Sequence, residues 1–176
     1  DADMAGGMAA PGKGPEHHGH EGKFRSLEQY RDLIRENVEQ GLVDIMLMSA
    51  SSNESLTIRE RLFDASHVTP AIRANDTTDI WFAHGSQYTD QPAQPFHTAS
   101  IDHGMCGKAE CQPGERQLGA ELGLFSVTFN NDVTLDRQML EAYREFRIEA
   151  EAKGFRHFLE VFDPNVLQSP VPDPGR

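Results

Sequence analysis

The sequence predicts an α/β fold built on a parallel β-sheet, and three observations support this prediction. Short apolar segments alternate with longer segments in which apolar residues recur every three or four positions. Residues 123–165 contain a strand, a helix and a second strand in one continuous stretch. Two strands joined by a crossover helix almost always lie parallel and are connected in the right-handed sense. An alternation of this kind is typical of α/β proteins.

The first predicted helix begins after Ser26, which can form a capping box with Gln29. Its apolar stripe ends at Gly41, a residue suited to a left-handed helix exit. Residues 42–52 follow as a nearly continuous apolar segment that ends in serines. This pattern predicts a strand in a sheet that is covered on both faces.

The middle of the chain has the least regular pattern. Residues 57–63 predict a short helix, and Thr69 followed by Pro70 predicts the cap and first residue of another. The remaining predictions are a strand at 79–86, an inserted ribbon or hairpin partner at 96–104, and a loop at 104–122.

The last strand, helix and strand are the most strongly patterned part of the sequence. Residues 124–129 are apolar and rich in β-branched and aromatic side chains, which predicts a buried strand. Thr134 can cap the next helix, which ends at Lys153 and Gly154. Residues 158–162 then predict the second strand, parallel to the first.

The composition limits the class of protein. The chain has 176 residues, a net charge of −12 and 38% hydrophobic residues, which fits one soluble domain with a substantial core. The acidic charge argues against nucleic acid or an anionic membrane as a partner. No apolar run approaches membrane-spanning length and no secretory signal pattern is present, so we expect a cytoplasmic protein. We divide the chain into a flexible arm (1–22), a domain (23–165) and a Pro-rich tail (166–176).

Long stretches of the chain, at 17–63, 66–86, 123–132 and 158–165, resemble the amino-terminal part of a bacterial aldolase-like TIM-barrel family related to class I aldolases. This resemblance implies the first half of a (β/α) barrel, with parallel strands inside and helices outside. A complete barrel takes about 250 residues. The alternative is a small open α/β sheet, which fits the length of the chain better.

The resemblance also implies an activity, an aldolase-like lyase that acts on a small carbonyl substrate with or without a phosphate. Class I aldolases form a Schiff base with a lysine on a barrel strand and require no cofactor. The four lysines here, at 13, 23, 108 and 153, all lie outside the predicted strands, so the expected nucleophile is missing from this chain. The alternative function is a non-catalytic or divergent α/β scaffold that binds a small ligand or a metal.

A half barrel has two open edges, so the sequence also predicts a homo-oligomer or a complementing half-barrel segment as partner.

Barrel enzymes carry their chemistry at the carboxyl ends of the strands. This rule predicts catalytic roles for Glu160, Asp163, Asn130 and His84, and substrate-binding roles for Ser49, Ser51 and Asn131. Glu160 alternates with Leu159 and Val161, so it faces one side of the sheet, where a carboxylate suits general acid or base catalysis. Alternatively, Glu160 pairs with Arg156 or with an arginine on a neighbouring strand. For the asparagines and Asp163, the alternative is a role in turns.

A candidate metal site lies at the start of the predicted loop 104–122. His103, Cys106 and Cys111 give the spacing H-x2-C-x4-C, and imidazole and thiolate ligands are those that zinc prefers. The alternatives are two reduced cysteines or a disulfide.

Overall fold

The computed structural model describes residues 26–75, 91–94, 97, 99–164 and 166. In this part of the chain, helices alternate with strands. In chain order the elements are α1 (Leu27–Gln40), β1 (Ile45–Met48), α2 (Ala50–Asn53) continued by a π-helical segment (Glu54–Arg59), β2 (Thr69–Arg73), α3 (Ile101–Cys106), a 3₁₀ turn (Pro113–Glu115), β3 (Leu122–Thr128), α4 (Val133–Lys153) and β4 (Arg156–Phe162).

The described strands form one sheet in the order β1-β2-β3-β4, and every neighbouring pair is parallel. Each of β2, β3 and β4 therefore lies beside the described strand that precedes it in the chain. The prediction of an α/β fold with a parallel sheet is confirmed for this part of the protein. Within the described residues the sheet is open, with β1 at one edge and β4 at the other.

The described helices pack on one face of this sheet. Met48 of β1 is directly opposite Ile72 of β2, and residues opposite one another in neighbouring strands point to the same face. Met48 belongs to the same buried cluster as Ile34 of α1. Ile72 belongs to the cluster that contains Met105 of α3 and Phe146 of α4. We call this the helix face of the sheet.

The alternate residues of the strands point to the opposite side, which we call the second face. Between described residues, no buried cluster joins a helix to this face. Its side chains are Ile45 and Leu47 of β1, Thr69, Ala71 and Arg73 of β2, Leu122, Leu124, Ser126 and Thr128 of β3, and Arg156, Phe158, Glu160 and Phe162 of β4.

The ends of the two long helices follow the sequence closely. The predicted capping box of α1 is present, with the Gln29 N–H donating to Ser26 Oγ and the Ser26 N–H donating to Gln29 Oε1. Helix α4 ends, as predicted, at Gly154, which is left-handed with φ 68°. Its amino-terminal cap is Asp132 and not Thr134. The Asp132 carboxylate accepts the N–H groups of Thr134 and Leu135 because it lies one residue before the first turn.

Two predictions for the middle of the chain are wrong. Thr69 and Pro70 begin strand β2 instead of a helix. The Thr69 N–H donates to the Asp44 carbonyl, and the proline lies near the start of the strand, where its missing donor is tolerated. The predicted ribbon at 96–104 is also wrong, since Ser100 caps helix α3 in that region. The helix expected at 57–63 begins earlier, at Ala50, and its π-helical part ends at Arg59.

Several predictions fall outside the described residues. They are the arm at 1–22, the strand at 79–86 with His84, and the tail apart from residue 166. Of the helices that are described, none has the length and apolar character needed to cross a bilayer.

Candidate functional site

A basic, a hydroxyl and an acidic side chain meet on the second face, one from each of three neighbouring strands. Ser126 Oγ donates a hydrogen bond to Glu160 Oε2 at 3.2 Å. Arg73 Nη1 lies 3.4 Å from Ser126 Oγ and 3.9 Å from Glu160 Oε2. We call this group the Arg73–Ser126–Glu160 cluster.

The strand register brings the cluster together. Ser126 is directly opposite Glu160. Arg73, the last residue of β2, is opposite Leu124, which precedes Ser126 by two residues and points to the same face. The side chain of Arg73 is 17% exposed and that of Glu160 is 37% exposed, so the carboxylate is the more accessible of the two charges. A guanidinium can bind a carboxylate or phosphate, and a carboxylate beside it can accept or return a proton. The cluster therefore has the groups needed to bind and deprotonate a small anionic carbonyl compound.

Asn75 holds the serine of the cluster in position. Its Nδ2 donates to the Ser126 carbonyl at 2.9 Å, and its Oδ1 accepts the Ser126 N–H at 2.7 Å. The side chain is buried, so these bonds are shielded from water. Sequence reasoning missed Arg73, Asn75 and Ser126. Arg73 and Asn75 stand at the end of a short apolar run that begins at Thr69, a pattern typical of a strand with polar residues at its carboxyl end. They were missed because a helix was predicted at Thr69 and Pro70.

Of the predicted catalytic residues that the structure describes, Glu160, Asp163 and Asn130, only Glu160 lies in this cluster. Its charged partner is Arg73 of β2, which β3 separates from β4, so the arginine lies one strand further away than the neighbouring strand that the sequence suggested. Arg156 pairs instead with Glu121. Asp163 is exposed just after β4.

The two asparagines that follow β3 have local structural contacts. Asn130 Nδ2 donates to the Ala93 carbonyl at 3.0 Å, and the Asn130 N–H donates to the Asp136 carboxylate at 2.7 Å. Asn131 is exposed and adopts the left-handed conformation, with φ 58°. These contacts favour the turn-forming alternative for both residues, because Asn tolerates left-handed backbone better than most residues.

The predicted substrate-binding serines lie at the start of α2. Ser49 Oγ accepts the Ser52 N–H at 3.1 Å and so caps this helix. Ser51 Oγ lies 3.0 Å from Ser49 Oγ, and the Ser51 carbonyl accepts a bond from Arg31. Between described residues, no hydrogen bond joins either serine to the Arg73–Ser126–Glu160 cluster.

The residues of the predicted zinc site have other partners. Cys106 and Cys111 are buried and joined in a disulfide, whereas zinc coordination requires both thiolates. The His103 ring accepts the Ser100 N–H and completes the capping box of α3. In the described part of the chain, no group of three or more His, Cys, Asp or Glu side chains is arranged to hold a metal. The disulfide, an alternative that the sequence left open, thus displaces the zinc site in this structure.

The described lysines lie away from the second face. Lys153, at the end of α4, contacts Asp102 Oδ2 of α3 at 3.0 Å and Glu149 at 2.7 Å. Burial alone would lower the pKa of this amine, but the bonds to Glu149 and Asp102 outweigh it, so the pKa is raised. Lys108 forms an ion pair with Glu115. Neither ammonium group is placed to act as a neutral nucleophile on the second face.

Comparison with known proteins adds no family assignment, since no family model, curated protein or solved structure matches the chain.

Proposed function

We propose that this protein is an aldolase-like lyase acting on a small carbonyl substrate that carries a carboxylate or phosphate. The observation that carries the proposal is the Arg73–Ser126–Glu160 cluster on the sheet face that is free of described helices. In this proposal the sheet is the first half of a (β/α) barrel, and the second face is the barrel interior.

The arrangement of helices supports a barrel over a doubly wound sheet. A doubly wound sheet carries helices on both faces and reverses its strand order at a switch point. In a barrel, strands follow one another in sequence and the helices lie outside. The described strands are in sequential order, and their helices pack on one face.

Each residue of the cluster has a separate role in the proposed reaction. The Arg73 guanidinium binds the anionic group of the substrate and stabilises the negative charge that develops on the carbonyl oxygen. Glu160 removes the proton of the substrate hydroxyl, and that oxygen forms the carbonyl group of the first product. The C–C bond next to it breaks, and the electron pair of this bond forms the enolate of the second product. Glu160 then returns the proton to the enolate carbon. Ser126 orients the carboxylate through its hydrogen bond.

A second function, a scaffold that binds a ligand without turnover, is favoured by one specific observation. The Glu160 carboxylate already accepts a hydrogen bond from Ser126 and lies beside Arg73. Such pairing is also typical of glutamates that only hold strands together. The two functions differ in whether Glu160 exchanges protons with a bound carbonyl compound.

Proton exchange into a panel of keto acids and keto phosphates, followed by NMR in deuterated water, tests the proposal. We expect the protein to exchange the protons next to the carbonyl, and Glu160→Gln to slow this exchange by about 10²- to 10⁴-fold. Glu121→Gln is the matched control, since Glu121 is an exposed glutamate paired with Arg156. Equal exchange by Glu160→Gln and the control would contradict the proposed role of Glu160. Binding without any exchange would favour the scaffold function.

Borohydride reduction in the presence of the same compounds separates this route from Schiff-base chemistry. We expect no covalent adduct on Lys108 or Lys153, because both amines are held in ion pairs. A reduced adduct mapped to either lysine by mass spectrometry would show that the reaction does not depend on Glu160 in the way proposed.

A further inference from the structure

A cavity of about 430 Å³ lies between α3 and α4, beside the last residues of β2. Ile72, which lines it, points to the helix face and packs in the same buried cluster as residues of α3 and α4. The Ser126 and Glu160 side chains, in contrast, lie on the second face. Cavities of a few hundred cubic ångströms bind small molecules in many proteins, so this one is a candidate for a second binding site.

The inner lining of the cavity is apolar. It includes Ile72 of β2, Ile101 of α3, and Ala142 and Phe146 of α4. Ile72, Ile101 and Phe146 are buried, and Ala142 is partly buried. The Phe146 ring also packs on Phe125 of β3, with 4.8 Å between the ring centroids, so the core holds this lining in place. An apolar ligand body is therefore stabilised here by its removal from water.

Two histidine rings border the cavity on the α3 side. The Ser100 N–H donates to His103 Nδ1 at 3.3 Å, which fixes the orientation of this ring. An imidazole that accepts a hydrogen bond at Nδ1 carries its proton on Nε2 and is uncharged. His97 also lines the cavity, and its ring centroid lies 6.0 Å from that of Phe125. The α3 side thus presents an uncharged ring at His103.

The α4 side of the cavity carries negative charge. Glu145 and Glu149 both line it and stand one turn apart on the same face of the helix. Glu149 accepts a hydrogen bond from Lys153 at 2.7 Å. Glu145 is exposed, and between described residues no hydrogen bond or ion pair engages its carboxylate. Glu145 is therefore available to pair with a ligand.

The positive charges near the cavity already have acidic partners. Arg73 is the one arginine or lysine among the described lining residues, and its guanidinium lies 3.9 Å from Glu160 Oε2. Lys153 lies outside the lining and contacts both Asp102 and Glu149. The chain as a whole has a net charge of −12, which attracts cations. These charges favour a cationic ligand over an anionic one.

We propose that this cavity binds a small protonated amine with an apolar body, of the arylalkylamine class. The ammonium group bonds to the Glu145 carboxylate, and the Glu149 carboxylate one turn away adds to the negative potential. The apolar body packs on Ile72, Ala142 and Phe146. The amine site lies outside the carbonyl site of the proposed function and does not depend on the proposed reaction.

Calorimetric titration with compounds that share one apolar body tests the preference for a cation. Phenethylamine is cationic near neutral pH, phenethyl alcohol is neutral and phenylacetate is anionic. We expect phenethylamine to bind about fivefold or more tightly than either of the others, because only its ammonium group pairs with Glu145. Equal binding of the amine and the alcohol, tighter binding of phenylacetate, or no binding of the amine would overturn the proposal.

Variants of α4 locate the site. Glu145→Gln keeps the size of the side chain and removes its charge, so the affinity for phenethylamine should fall about threefold or more. Glu141→Gln is the matched control, because Glu141 is an exposed glutamate of the same helix that pairs with Arg137 and lies outside the lining. Ala142→Leu fills the cavity with a residue that favours helix and should abolish binding. Equal affinities of the two glutamine variants, or unchanged binding by a folded Ala142→Leu, would contradict the site.

NMR of the wild-type protein gives a check that needs no variant, should Ala142→Leu not fold. The imidazole signals of His97 and His103 should shift when phenethylamine is added, since both rings line the cavity. The signals of His67, which lies outside this lining, should stay in place. Shifts at His67 without shifts at His97 and His103 would refute the proposed location.

Discussion

The side chain of Asn75 extends the pairing of β2 with β3 past the last residue of β2, through two hydrogen bonds to the backbone of Ser126. The carboxamide presents one donor and one acceptor, as a peptide group does, at 2.9 and 2.7 Å from the Ser126 carbonyl and N–H. Asn75 thereby fixes the backbone of the residue whose hydroxyl contacts Glu160. A change at Asn75 should therefore affect both the stability of the fold and the geometry of the Arg73–Ser126–Glu160 cluster.

Replacing Asn75 by alanine should be strongly destabilising. The change leaves both backbone groups of Ser126 without these partners in a buried position, which should cost about 2–4 kcal/mol. Urea denaturation measures the free energy of unfolding of the wild type and the variant. Asn37→Ala is the control, since the Asn37 side chain bonds the Leu33 carbonyl on the exposed surface of α1 and should cost much less. Similar losses for the two variants would show that the Asn75 bonds contribute little.

The ion pair of Lys153 with Asp102 should hold the start of α3 against the end of α4. Asp102 is buried, so Lys153→Met leaves a buried carboxylate without this partner and should destabilise the fold by about 2–4 kcal/mol. The additional change Asp102→Asn removes the unpaired charge and should recover part of the loss in a double-mutant cycle. Strictly additive effects would contradict a direct interaction.

The same pair predicts a loss of stability in alkaline solution. The pKa of Lys153 is raised in the folded protein above its ordinary value of 10.5. The contribution of the charged Lys153 to the stability of the fold is therefore complete below pH 10.5, and it is lost as the pH rises through the higher pKa of the folded state. Chemical unfolding between pH 9 and 12 should show a steeper decline for the wild type than for Lys153→Met. Parallel curves would count against this linkage.

His157 predicts a loss of stability in mildly acidic solution. Burial, with a smaller contribution from the charge of Arg147, lowers the pKa of this imidazole below 6.5. The unfolded chain then binds the proton more readily than the folded one, so stability falls as the pH drops below 6.5 towards the folded pKa. His157→Gln should flatten this part of the pH profile. An NMR titration that gave His157 an ordinary or raised pKa would refute the prediction.

The disulfide predicts opposite effects of reduction on stability and on metal binding. Cys106 and Cys111 close a short loop, so Cys106→Ser with Cys111→Ser should cost about 2 kcal/mol through loop entropy. The zinc prediction applies only to the reduced chain, where elemental analysis should show metal that the double variant loses. Reduced protein that contains no zinc would leave the cysteines with a structural role alone.

The redox state of this disulfide in cells also tests the expected cytoplasmic location, because persistent disulfides are typical of oxidising compartments.

The sequence by itself determined the features that depend on neighbouring residues. The capping box of Ser26, the exits at Gly41 and Gly154, and the β3-α4-β4 unit were all predicted, because local hydrogen bonding and apolar periodicity specify them. The tertiary structure decided the features that depend on distant residues. Thr69 and Pro70 have the local pattern of a helix start, yet β2 forms because pairing with β1 and β3 buries Ala71 and Ile72.

The residues of the candidate site also fall into those that the sequence could predict and those that required the tertiary structure. Glu160 was predicted from its alternation within one strand. Arg73 was missed because a helix was predicted in place of β2, and Ser126 was missed because it is a single hydroxyl residue in an apolar run. They become a site only when the strand register brings residues 34 and 53 positions apart into contact. Cys106 and Cys111 show the same limit, since their spacing fits a metal site or a disulfide equally well. The fold selects the disulfide by burying the two sulfur atoms together at the end of α3.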